Sequence, residues 1–130
     1  MKKLIFPAVA ALLLLMSASL FAQQSKSDVV AVAANGKTVS ASVSSQAGRS
    51  PFFLLFDKQG AFVEAVDNPY KDAGNAGIPT LDFLASKGVK VLVAEGFGPK
   101  ITEVMKSKGL RPVEFKGSAR DAVRKALELK

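Results

Sequence analysis

The sequence predicts an α/β domain built on a mixed, mostly parallel five-stranded sheet flanked by helices, in the order β-β-β-α-β-α-β-α. Five short segments have the apolar or alternating pattern of strands, and three later segments have apolar residues at helical spacing. Glycine and proline separate these segments. A hairpin followed by alternating strand and helix units is typical of a mixed, mostly parallel sheet covered by helices.

The first half of the domain is predicted to consist of strands. Residues 28–34 are a nearly continuous apolar run, broken only by Asp28 and rich in Val, as in a strand buried on both faces, and Asn35-Gly36 indicates a turn. Residues 37–48 are rich in Ser and are predicted to be a long loop. Residues 51–67 contain two strands joined by the tight connection Lys58-Gln59-Gly60, which predicts a hairpin.

The second half alternates helices and strands. The first helix is predicted from about Ile78 to Lys87, with Pro79 in its first turn and Gly88 after its end. The remaining elements are a strand at 89–94, a helix from Pro99 to Gly109, a strand at 110–115 and a final helix after the capping-box sequence Ser118-Ala119-Arg120-Asp121. Met105 has helical spacing with apolar neighbours, so we expect it to fill the core.

The N-terminus has the pattern of a secretory signal. Lys2 and Lys3 precede the uncharged apolar run 4–16, and residues 17–22 include small residues suited to cleavage after Ala22, or alternatively after Ala18. The apolar run is shorter than the roughly 20 residues that span a bilayer, so no stable membrane anchor is expected. The signal therefore predicts a periplasmic or secreted protein.

Composition restricts the chemistry of the mature chain, which we divide into a short polar leader, 23–27, and one domain, 28–130. The chain has no Cys and no His, so disulfides and the usual ligands of zinc, copper and haem are missing. Ser-His-Asp and Cys-His catalysis are excluded for the same reason. Removing Lys2 and Lys3 lowers the formal net charge from +7 to +5. The basic residues are scattered, which argues against nucleic acid and suits a small anionic ligand or an anionic membrane surface.

Several loops are predicted to meet at one end of the sheet. If strand two is antiparallel to the other four, the loops after strands one, three, four and five lie together at the carboxyl ends of the strands, where α/β proteins bind ligands. Glycines and three helix N-termini would there offer backbone N–H groups to an anion. The candidate anion- or cluster-binding residues are Arg49, Ser50, Asn75, Gly77, Gly96, Gly98 and Lys100.

The order of these segments resembles the dinitrogenase iron–molybdenum cofactor biosynthesis family over residues 28–130. The likeness rests on the first strand, on residues 48–57, on Asn68-Pro69 with the Gly-rich stretch to Gly77, on residues 88–100 and on residues 108–113. The resemblance implies a ribonuclease-H-like fold that binds metal–sulfur clusters or their precursors as a carrier or insertion factor. It also implies a molybdenum- or iron-containing sulfide cluster as the ligand. Such a cluster is anionic and brings its own sulfide, so Arg, Lys and backbone N–H groups can hold it without Cys.

Three functions stay open at this stage. The first is a non-catalytic binding protein for a small anionic ligand. The second is a metal-dependent hydrolase that would use Asp57, Glu64 and Asp67, although Asp57 is predicted at the far end of the sheet. The third is a protein-interaction or sensor module with a vestigial ligand site and a periplasmic protein partner.

Overall fold

The structure is a computed structural model that describes residues 29–128. The expected signal peptide, its cleavage site and the polar leader lie outside the described residues. The elements are β1 (Val29–Ala34), β2 (Phe52–Phe56), β3 (Phe62–Asp67), α1 (Gly77–Ser86), β4 (Val89–Ala94), α2 (Pro99–Ser107), β5 (Arg111–Glu114) and α3 (Ala119–Glu128). This order confirms the prediction, with helix and strand ends that differ by no more than two residues.

The five strands form one mixed sheet in the spatial order β3-β2-β1-β4-β5. Strand β1 pairs parallel with β4, and β4 with β5. Strand β2 pairs antiparallel with both β1 and β3, so the other four strands share one direction, as in the predicted ribonuclease-H-like fold. We call the end at which Ala34, Asp67, Ala94 and Glu114 finish these strands the carboxyl end, and the opposite end the amino end.

Helices cover both faces of the sheet. On one face α3 buries Val123 and Ala126 against Val32 and Leu54. On the other face α1 and α2 pack over a second core, and Met105 is fully buried there, as expected of a core residue. Strands β1 and β4 lie between the two cores, which explains their nearly continuous apolar sequences. Each fully buried Leu, Phe or Met side chain contributes about 1.5–3 kcal/mol of transfer free energy.

The segment 37–48 was predicted as a loop, but part of it is an ordered extension of the sheet. Val43 is buried, forms an antiparallel bridge with Ala34 and donates its N–H to Gly117 O at 2.8 Å. The next residue, Ser44, donates its N–H to Ala33 O at 2.7 Å. The sequence did not indicate this pairing, because the segment is rich in Ser and its only large apolar side chains, Val39 and Val43, are too few to give a strand pattern.

No helix within residues 29–128 combines the length and the apolar character that crossing a membrane requires.

Candidate anion-binding cavity

A cavity of about 390 Å³ opens at the carboxyl end of the sheet. Three chain segments line it: Ser45 to Arg49 after β1, Gly74 to Leu81 around the start of α1, and Gly96 to Ile101 between β4 and α2. These segments meet because β1 and β4 are parallel neighbours, so their following loops leave the sheet side by side. The volume is at the small end of the range for ligand pockets.

Six of the seven candidate residues line this cavity, and one does not. The six are Arg49, Asn75, Gly77, Gly96, Gly98 and Lys100. Ser50 is fully buried, and its hydroxyl donates to Ala34 O at 3.2 Å and to Phe52 O at 2.8 Å. Its side chain turns into the sheet directly before β2, so Ser50 positions the backbone behind Arg49 and does not face the cavity.

The two helices that begin at the cavity have uncapped N-termini. Their N-cap residues are Ala76 and Gly98, and neither makes a side-chain capping hydrogen bond. Four cavity-lining N–H groups of the first helical turns have no acceptor among residues 29–128, and they belong to Gly77, Ile78, Lys100 and Ile101. Unpaired N–H groups at a helix start carry a partial positive charge, so an anion is favoured beside them.

The third helix start does not belong to the cavity, which corrects the prediction that all three N-termini are free. The N–H groups of Ala119 and Arg120 donate to carbonyls of the 37–48 segment at 2.9 and 3.0 Å. The N–H of Asp121 donates to Ser118 Oγ at 3.2 Å, as the predicted cap requires. The first N–H groups of α3 are paired because the ordered 37–48 segment brings two of its carbonyl groups to the start of that helix.

The cavity glycines fall into two groups. Gly48 and Gly77 pack backbone against backbone: a Cβ on Gly48 would lie 2.9 Å from the Gly77 Cα. By contrast, a Cβ on Gly98 would have nothing within 4 Å, and one on Gly96 would have only Ser45 O at 3.9 Å. Neither Gly96 nor Gly98 has a positive φ. Among the described residues, nothing in the packing or the backbone therefore requires glycine at these two positions.

Arg49 and Lys100 are the charged side chains in the cavity lining, which contains no carboxylate. Arg49 also has a structural role, since its guanidinium donates to Lys71 O at 3.2 Å and to Gly74 O at 3.5 Å. A guanidinium has five N–H donors, so these two bonds leave others for a ligand. Lys100 forms no ion pair within residues 29–128.

A buried polar network beneath the cavity fixes the backbone on both sides of Arg49. The Asn68 amide donates to Gly48 O and to Ser50 O, each at 3.0 Å. The Thr80 hydroxyl also donates to Gly48 O at 3.0 Å. The sequence pointed to Asn68 only through the Asn68-Pro69 pair of the family resemblance, and it did not single out Thr80. A polar residue at the end of β3, on the same end of the sheet as the cavity, was the available signal.

The three carboxylates considered for hydrolysis do not come together. Asp57 lies at the amino end and accepts the N–H groups of Gln59 and Ala61, both at 2.9 Å. Asp67 lies 3.8 Å from Lys37 Nζ, and Glu64 is exposed on β3. No group of three or more acidic, His or Cys side chains in the described part of the chain is placed to hold a metal ion.

Comparison with known proteins points to one family. The family model described as dinitrogenase iron–molybdenum cofactor matches residues 28–129. The NMR structure of a protein from Thermotoga, provisionally described as NifB, is 32% identical with a TM-score of 0.66, covering 77% of this chain and 87% of that one. The apo form of the orange protein from Desulfovibrio gigas is 28% identical with a TM-score of 0.72, covering 80% and 90%. No curated protein sequence matches the chain.

Proposed function

We propose that this chain, which belongs to the dinitrogenase iron–molybdenum cofactor family, is an exported, non-catalytic protein that binds a small anionic ligand in the cavity at the carboxyl end. The ligand we propose is a metal–sulfide cluster of the molybdenum type, held without a covalent bond to the chain. The family and the similarity to the orange protein support a role in cluster-related binding.

One observation carries the proposal: the cavity lining brings together N–H donors and positive charge, and apart from two bonds of Arg49 these donors have no acceptor within residues 29–128. Two uncapped helix starts, Lys100 and part of Arg49 line the same space, and no acidic side chain lies among them. Gly96 and Gly98 leave the backbone beside the cavity uncovered by side chains, although neither the packing nor the φ angle requires glycine at these positions. Glycine at such positions allows a ligand to approach the main chain closely.

The donor set suits a cluster that carries its own sulfide ligands. Because the chain has no Cys or His, it offers no thiolate or imidazole to bond a metal atom directly. N–H groups, an ammonium and a guanidinium can instead donate hydrogen bonds to the sulfur or oxygen atoms at the outside of an anionic cluster. The protein would bind and shield the ligand, and the metal–sulfur bonds would belong to the ligand itself.

Reconstitution with tetrathiomolybdate, with and without copper, tests this function. We expect stoichiometric metal after gel filtration and a visible absorption band that free tetrathiomolybdate does not show. Protein isolated from its own host should also contain molybdenum or another cluster metal. Absence of metal and of visible absorption under all three conditions would contradict the proposal.

Variants of the cavity locate the site. Arg49→Ala should weaken binding by about 1–3 kcal/mol through the loss of a charged hydrogen bond. Gly98→Leu should abolish binding while leaving the fold intact, since its backbone is extended and the space beside it is open. Lys106→Ala is the matched control, because Lys106 is exposed at the amino end and its loss should not change binding.

A protein-interaction or sensor module is the second candidate, and the contacts of Arg49 favour it. The Arg49 guanidinium already holds the 71–74 turn through two carbonyls, which is sufficient reason to have arginine there without a ligand. If Arg49→Ala lowers stability but leaves metal binding unchanged, the residue is structural. Capture of one stoichiometric periplasmic protein by the metal-free chain would then support the module.

The cellular compartment is a separate part of the proposal. Lys2, Lys3 and the apolar run 4–16 support export. Intact mass measurement on protein from the periplasmic fraction should give a chain that begins at Gln23, or at Ser19 if cleavage follows Ala18. Full-length protein confined to the cytoplasmic fraction would contradict export.

A further inference from the structure

The net charge of the described domain is concentrated at the amino end of the sheet, away from the cavity. The basic residues nearer that end are Lys58, Lys87, Lys90, Lys106, Lys108, Arg111, Arg124 and Lys125, against the acidic residues Asp57, Glu64, Asp82 and Glu128. The carboxyl end, with Glu103 at the midpoint of α2 included, holds six basic and six acidic residues. The excess of positive charge therefore lies at the end of the sheet opposite the cavity proposed for the ligand.

Two of the carboxylates at the amino end are already engaged by protein groups. Asp57 accepts two backbone N–H groups of the β2–β3 turn. Asp82 is bonded to Lys108. By contrast, Lys58, Lys90 and Lys106 are exposed and form no ion pair within the described residues. The amino end thus presents cations that no acidic side chain in the structure neutralises.

Two of these cations, Lys58 and Lys90, line a small depression together with apolar side chains. A cavity of about 260 Å³ at the amino end is lined by Lys58, Lys90 and Arg111 together with Val91 and Leu127. Arg111 donates to Ala126 O at 3.1 Å, which fixes its guanidinium beside the end of α3. Charged groups beside apolar side chains suit the boundary between lipid headgroups and acyl chains. There the aliphatic parts of Lys and Arg lie against apolar groups and their charged ends stay near the headgroups.

The path of the chain leads to the same end. Strand β1 starts at the amino end, and Val29 itself lines the 260 Å³ cavity. The residues before β1 are therefore attached at this end, including Lys26 and, further upstream, the uncharged apolar run 4–16.

We infer that the amino end is a docking surface for an anionic lipid bilayer, which leaves the carboxyl-end cavity open to solvent. This contact is independent of ligand binding in the cavity. A lipid surface fits better than a nucleic acid, because the lining of the depression contains no aromatic side chain on which bases could stack. Each Lys or Arg that lies close to an anionic membrane surface strengthens binding about fivefold.

Vesicle co-sedimentation tests the inference on the protein purified after expression of the full chain, with its N-terminus defined by intact mass. The wild type is compared on neutral phosphatidylcholine vesicles and on vesicles that contain phosphatidylglycerol, at low and high salt. We expect binding only to the anionic vesicles and a steep loss with salt, because exposed charges are screened. If the apolar run is retained, it binds both vesicle types, and the added effect of phosphatidylglycerol still reports on the basic residues.

Two variants of equal charge locate the surface. Lys58→Gln/Lys90→Gln/Lys106→Gln removes three charges at the amino end, and Lys71→Gln/Lys116→Gln/Arg120→Gln removes three exposed charges at the carboxyl end. We expect at least a tenfold loss of partitioning for the first and less than a twofold loss for the second. Thermal unfolding confirms that both remain folded, and if the first does not fold, the dependence of the wild type on phosphatidylglycerol decides.

Three results would overturn the inference. They are equal losses for the two triple variants, no preference of the wild type for anionic vesicles, and duplex DNA binding as strong as vesicle binding at the same salt.

Discussion

Glycine serves different purposes at the two ends of the sheet. At the amino end Gly60, Gly88 and Gly109 have φ values of 88°, 82° and 74°, so the tight turns there need glycine for its backbone freedom. At the carboxyl end the cavity glycines, including Gly48 and Gly98, have no positive φ. At these cavity positions glycine is used for space, either between two backbones or beside the cavity, whereas Gly117, which follows β5 outside the cavity lining, has a φ of 146°. A tight turn and an open loop beside a cavity can thus look alike in sequence and differ in the physical reason for their glycine.

The largest expected effect concerns the polar network, which has no counterpart at the amino end within residues 29–128. Asn68→Ala removes the donors to Gly48 O and Ser50 O and leaves buried polar groups with fewer partners. We expect the free energy of unfolding to fall by about 3 kcal/mol in urea denaturation. Asn35→Ala is the control, since Asn35 is exposed and its bond to Ser42 Oγ should contribute less than about 1 kcal/mol.

The next effect tests close packing at the carboxyl end. Gly48→Ala places a Cβ 2.9 Å from the Gly77 Cα, and backbone cannot move away as a side chain can. We expect a loss of about 2 kcal/mol in the free energy of unfolding. An unchanged urea midpoint would show that the backbones at Gly48 and Gly77 are not in close contact.

A smaller effect is expected at the amino end, where conformation alone requires glycine. At Gly109 a new Cβ would have no neighbour within 4 Å, but φ is 74°. Gly109→Ala should therefore cost about 1 kcal/mol, measured by thermal unfolding. Gly109→Asn should recover part of that loss, because Asn tolerates the left-handed conformation. Equal losses for Ala and Asn would contradict the conformational explanation.

The smallest effect on stability is expected beside the cavity. Gly98→Ala meets neither a neighbour nor an unfavourable φ, so the free energy of unfolding should change by less than about 1 kcal/mol and should, if anything, rise. Ligand binding measured on the same protein should weaken. Destabilisation as large as that of Gly48→Ala would remove the distinction between the two kinds of cavity glycine.

The fold and most of the cavity could be predicted because strong local patterns determine them. The continuous apolar sequence of β1 and β4 and the hairpin of β2 and β3 fix the strand directions, and those directions bring Arg49 and Lys100 to one end. Ser50 could not be separated from Arg49 by sequence, because the orientation of a side chain before a strand depends on tertiary contacts. The capping of α3 by the 37–48 segment was missed since Ser-rich sequence carries little signal for pairing. Asn68 and Thr80 act through hydrogen bonds between residues distant in sequence, which no periodicity reveals.

The position of β1 has a consequence for biogenesis. This strand is synthesised first among the five but lies in the middle of the sheet, and its parallel partner β4 begins 60 residues later, at Val89. Until β4 emerges, one side of an almost wholly apolar strand has no backbone partner. Folding from the N-terminus therefore cannot complete the central pairing stepwise, and the apolar strand is open to aggregation until residues 89–94 have been synthesised.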